Sequence, residues 1–118
     1  MVGIPKLTAA EKKLIACAAR GEDAVFLAKD KETGAFDFED PLNDPANGAT
    51  WPKSRTIRAK VLRRLLVNPP KSWSVHAMGV RIIGARIVGE LDLEETKIAY
   101  PFYLLLCHVE QPVSLQRA

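Results

Sequence analysis

The sequence predicts an α+β protein, with a helical cap over residues 1–72 followed, over 73–118, by the first coils of a right-handed β-solenoid. Three observations carry that expectation. A capping box opens a helix near the N-terminus, a basic stretch with helical apolar spacing occupies the middle, and an 11-residue register takes over after Ser72.

Thr8 and Glu11 stand three apart before an apolar run, so each can satisfy the other's backbone N–H at a helix start. The helix they open carries Leu14, Ile15 and Ala18 on one side, and Gly21 offers a left-handed stop. A second short helix is expected over 22–28. Over 30–53 the composition shifts to Asp, Asn, Gly and Pro, with Phe36, Phe38 and Trp51 interspersed. That is the composition of a loop whose aromatics pin it to a core. Ser54 reads as the N-cap of a second helix over 55–67, stopped by Asn68, Pro69 and Pro70. Ile57, Val61, Leu62, Leu65 and Leu66 form its apolar stripe, and Lys60, Arg63 and Arg64 lie largely opposite.

From Ser74 the periodicity changes. Units of 11 residues begin at Ser74, Ala85, Thr96 and Cys107, with Ala118 opening the next. The first position is small throughout, and two places later stand His76, Ile87, Ile98 and Val109. Gly79, Glu90, Pro101 and Pro112 occupy the sixth position, a corner. The seventh (Val80, Leu91, Phe102, Val113) and ninth (Ile82, Leu93, Leu104, Leu115) alternate around a more polar eighth, the period of a strand with one buried face. Stacking like residue over like residue buries every anchor at once, and two units would complete one four-faced coil.

A small residue, a spacer and a large aliphatic, as in Gly84-Ala85-Arg86-Ile87 and Glu95-Thr96-Lys97-Ile98, resembles the pattern of pentapeptide-repeat proteins. More narrowly, SRTIRAKVLRRLL from Ser54 and GVRIIGARIVGELDL from Gly79 are similar to larger bacterial pentapeptide-like proteins. Those begin with a helical segment and continue into a long β-helix, and some are labelled membrane-associated oxidoreductases. The resemblance spans about residues 7–118 and implies a pentapeptide-like solenoid, but it brings no catalytic motif. The sixth residue inserted in alternate units departs from the strict pentapeptide spacing.

Net charge is +3, but it is segregated: residues 21–47 sum to −6 and residues 48–73 to +7. An acidic loop beside a basic helix can neutralise itself, which weakens the inference from charge to polyanion binding. Two cysteines, Cys17 and Cys107, make no disulfide framework and read as buried thiols of a cytoplasmic protein. No apolar run has the length of a signal peptide core or a membrane span. Gly79, Gly84 and Gly89 belong to the repeat and form no phosphate cradle. Cys107 and His108 are adjacent and would point to opposite faces of a strand, which disfavours a shared metal, and His76 reads as a core or end-of-coil histidine.

The expected function is therefore a non-catalytic scaffold or protein-interaction module with no cofactor and no metal. Its partner would be a second copy or another protein, and the open coil end at Val109, Val113 and Leu115 would make it a homo-oligomer. Two alternatives stand beside it. Lys53, Arg55, Arg58, Lys60, Arg63 and Arg64 are candidate polyanion contacts, which would make the basic helix a nucleic-acid binder. The chain could instead be the N-terminal part of a larger membrane-associated protein whose chemistry lies beyond Ala118.

Overall fold

Helix α1 (Ala9–Arg20) begins with the reciprocal cap the sequence predicts. Thr8 Oγ1 accepts from the Glu11 N–H at 3.2 Å, and the Thr8 N–H donates to Glu11 Oε1 at 2.9 Å. Gly21 ends the helix at φ 70°, and Ala10, Leu14, Cys17 and Ala18 face the core. A computed structural model describes residues 6–30, 32–93, 98, 100–111 and 113.

The expected helix over 22–28 is replaced by strand β1 (Ala24–Val25). Ala24, Phe26 and Leu27 are all buried, and the Phe26 N–H donates to Ile83 O at 2.8 Å. Sheet pairing takes the backbone bonds that a helix would have closed locally. The acidic loop then runs through 3-10 turns at Pro41–Asn43, Pro45–Thr50 and Lys53–Arg55. Of its aromatics only Trp51 pins it, because Phe36 and Phe38 are exposed. Asn43 does the larger share. It is 1% exposed, its Oδ1 accepts from the Ala28 N–H, and its Nδ2 donates to Ala28 O and Asp37 O.

The second helix also differs from expectation. Residues 56–58 form strand β2 (Thr56–Arg58), and α2 covers only Ala59–Val67. Thr56 and Ile57 are β-branched and suit the strand. The N-cap position passes from Ser54 to Arg58, which makes no side-chain cap. Its N–H is satisfied instead by Glu11 Oε2 of α1, at 3.0 Å. The apolar stripe is as read: Val61, Leu62, Leu65 and Leu66 are buried.

Strands β3 (Val80–Ile83), β4 (Arg86–Val88), β5 (Phe102–Leu105) and β6 (His108–Val109) follow. They assemble into two parallel three-stranded sheets, ordered β1-β3-β5 and β2-β4-β6. Val80 pairs with Phe102, Ile82 with Leu104, Arg86 with His108 and Ile87 with Val109. Each pair is offset by two of the 11-residue units, so the repeat does set the register. Gly84 turns the chain from β3 into β4 at φ 75°. A Cβ there would lie 2.3 Å from Leu27 Cδ2.

The solenoid expectation is overturned. The two sheets do not close into a coil, and the molecule is a small α+β protein with two parallel sheets. A four-faced coil needs strands on each face, yet within the first repeat unit residues 74–79 form no strand before β3 begins. That segment is held instead by α1, whose Ala18 O accepts from the His76 N–H at 2.8 Å. The first strand of each sheet comes from β1 or β2, outside the repeat. Each sheet thus joins residues from before 72 to residues after 73 around one core, with Ile57, Leu62, Leu65, Ile82, Ile87, Leu91 and Leu93 fully buried. Helix α1 packs on β1, β2 and β3, and α2 on β2.

Candidate functional site

The two sheets are finished differently at their two edges. On the β1–β2 side α1 and α2 cover the sheets. On the other side β5 and β6 pair with β3 and β4 only, among the described residues. Burial falls accordingly: Val80, Ile82, Ile87 and Leu91 are 0% exposed, whereas Phe102, Leu104, Val109 and Val113, one rung further out, are only partly buried. Tyr103 and Leu105 are 60% and 54% exposed on the opposite face of β5.

Backbone direction follows from the ladder. Pro101 O and Leu105 O accept from the Val80 and Gly84 N–H groups, so alternate residues of β5 turn toward β3. In β6 the His108 and Glu110 N–H groups donate to Ala85 O and Ile87 O. The peptide groups of Phe102, Leu104 and Val109 therefore point away from the sheet. Of the three residues expected at the self-association end, Val109 and Val113 lie here, and Leu115 lies outside the described residues.

This edge is positioned from behind by polar contacts. His108 Nδ1 lies 2.9 Å from Pro45 O, and its ring sits so close to Gly48 that a Cβ there would fall 2.0 Å from His108 Cβ. Arg86 and Glu110 form an ion pair across β4 and the end of β6. Cys107 Sγ faces Ile82 O and Leu105 O, and burial pushes its thiol pKa up, which keeps it protonated and unreactive. Cys17 is also a free thiol, buried in α1.

The six basic residues do not form a common surface. Arg55 is 8% exposed, and its guanidinium donates to Gly84 O through Nε and Nη2 and to Leu42 O through Nη1, while stacking 3.7 Å from the Trp51 ring centroid. Arg58 donates to both oxygens of Glu11, through Nε at 2.8 Å and Nη2 at 2.7 Å. Glu11 is fully buried. Burial alone would raise its pKa, but the hydrogen bonds from Arg58 and Thr8 and the Arg58 charge win, and hold it at about 2. Arg63 Nε donates to Asp92 O at 3.0 Å. Lys53, Lys60 and Arg64 are exposed. Among the described residues, the acidic loop, expected to neutralise these side chains, contributes only the Leu42 carbonyl to them.

A different group of cations shares one groove. A groove of about 430 Å³ on the β1 side is lined by Lys13, Lys29 and Arg55 together with Phe26 and Phe36. Sequence reasoning missed it because Lys13 and Lys29 stand on different elements with no motif linking them. Among the described residues no three His, Cys, Asp or Glu side chains gather as a metal-binding group, and no helix is long and apolar enough to cross a membrane.

No family model, no curated protein and no solved structure matches this chain, so the resemblance to pentapeptide-like proteins rests on the residues quoted for it.

Proposed function

We propose that this chain is a non-catalytic protein-interaction module that self-associates through its β5–β6 edge. The fall in burial from β3–β4 to β5–β6, along one apolar register, is the observation that carries this reading. Parallel edges with free peptide groups accept another strand by backbone hydrogen bonding, with side-chain pockets supplying specificity.

A second copy is the occupant the chemistry favours. The partly buried outer rung consists of Phe102, Leu104, Val109 and Val113 and carries no charge, so two such edges meet without repulsion. The same apolar stripe on both partners is self-complementary about a two-fold axis, and an isologous dimer closes on itself. A cytoplasmic setting accords with the free thiols of Cys17 and Cys107.

Light scattering on a size-exclusion column tests the reading. A dimer is expected, and the double variant Tyr103→Lys/Leu105→Lys should be monomeric with an unchanged circular dichroism spectrum. Both positions are exposed, and like charges facing each other across paired strands oppose association. A monomeric wild-type protein at tens of micromolar would overturn the proposal, as would a double variant that remains dimeric.

A further inference from the structure

The groove on the β1 side holds charge that the fold leaves unbalanced. Arg55 is 92% buried, yet the atoms it bonds are the carbonyl oxygens of Gly84 and Leu42 rather than a carboxylate. A buried cation without an opposite charge is costly, and carbonyl dipoles and a ring face offset that cost only in part. Burial correspondingly pushes the Arg55 pKa down. A guanidinium has five N–H donors, and three are committed among the described residues, so two remain there.

Lys13 and Lys29 stand on the same groove, and neither makes an ion pair among the described residues. Each lies over an aromatic ring instead, Lys13 Nζ 4.7 Å from the Phe26 centroid and Lys29 Nζ 5.3 Å from that of Phe36. Lys13 Nζ also donates to Val25 O, which leaves its other protons uncommitted. The acid on the groove wall, Asp23, is already engaged by Arg81 at 2.8 Å. Three cations therefore face the groove against one acid that is spoken for.

We infer that this groove binds a small phosphomonoester carrying a flat ring, the class to which nucleoside monophosphates belong. A phosphate dianion matches a groove lined by three cations better than a single carboxylate does. Phe36 is 37% exposed and presents a ring for stacking beside them. The volume of about 430 Å³ lies in the range of small-molecule sites. The groove is lined by β1 and not by β5 or β6, so the inference does not rest on self-association.

Isothermal titration calorimetry at low salt with adenosine 5′-monophosphate is the test, with adenosine and inorganic phosphate as comparison probes. Saturable binding of the monophosphate is expected, with each comparison probe weaker by about tenfold or more, the worth of one charge-assisted contact. Lys13→Gln/Lys29→Gln should weaken it by about a hundredfold, since two such contacts are lost and Arg55 remains. Phe36→Ala should weaken the monophosphate and leave inorganic phosphate unaffected. Both variants alter exposed side chains, and an unchanged melting curve verifies their folding. Absence of saturable monophosphate binding overturns the inference, as does inorganic phosphate binding equally well. Unchanged affinity in the lysine variant overturns it too.

Discussion

Replacing Glu11 by Gln probes a buried carboxylate that ties the start of α1 to the junction of β2 and α2. Its oxygens accept from the Thr8 N–H, the Arg58 N–H, and Arg58 Nε and Nη2. A glutamine keeps a single acceptor oxygen and turns an amide N–H₂ toward a guanidinium, donor against donor. Holding the carboxyl at about 2 rather than 4.5 corresponds to about 3 kcal/mol of folding stability at neutral pH. Breaking one side of a buried ion pair typically costs about 3–5 kcal/mol, and the Arg58 side chain, 27% exposed, can regain water. The expected loss for Glu11→Gln is therefore about 3 kcal/mol, measured by urea unfolding followed by circular dichroism. The pH dependence has a definite sign. Because the folded-state pKa is depressed, the contribution is fully present above about 4.5 and is lost as pH falls through about 2. The gap between wild type and variant should narrow across that window, since glutamine does not titrate. A loss under about 1 kcal/mol at neutral pH would refute the reasoning, being no more than an exposed ion pair is worth. So would a gap that stays constant across the acid window. A double-mutant cycle with Arg58→Met should return a coupling of about 2 kcal/mol between the two side chains.

Two further substitutions test how the loop and the sheet corner are held. Gly84→Ala places a Cβ at φ 75° and 2.3 Å from Leu27 Cδ2, so a loss of about 3 kcal/mol is expected in urea unfolding; a neutral result would show that β3 and β4 can join by another turn. Asn43→Ala removes an acceptor for the Ala28 N–H and donors to Ala28 O and Asp37 O, and takes these partners from partly buried backbone groups. About 2–3 kcal/mol should be lost, with faster amide hydrogen exchange over 28–43, and unchanged exchange there would contradict the role assigned to Asn43.

Much of the local structure was legible because short-range chemistry decides it. The Thr8–Glu11 cap, the Gly21 stop and the apolar stripe of α2 all depend on neighbours a few residues away. The 11-residue register was legible as well, since parallel strands stack like over like, and it reappears as the pairing of Val80 with Phe102 and Arg86 with His108. Only tertiary structure could place β1 at Ala24–Val25 and β2 at Thr56–Arg58, because those residues become strands by pairing with β3 and β4, at 58 and 30 positions' remove. The same holds for the basic residues, which looked alike along the chain. Arg55 became a buried clamp on Gly84 and Leu42, and Arg58 the partner of a glutamate 47 residues away, while Lys60 and Arg64 stayed in water.

The sequence by itself determined the cap and stop of α1, the apolar faces and the spacing at which strands stack, since each follows from the local period of the chain. Whether that spacing closes a coil or builds two open sheets was settled by which segments supply the first rung. β1 and β2, drawn from outside the repeat and covered by α1 and α2, made it two sheets with one covered side and one apolar edge.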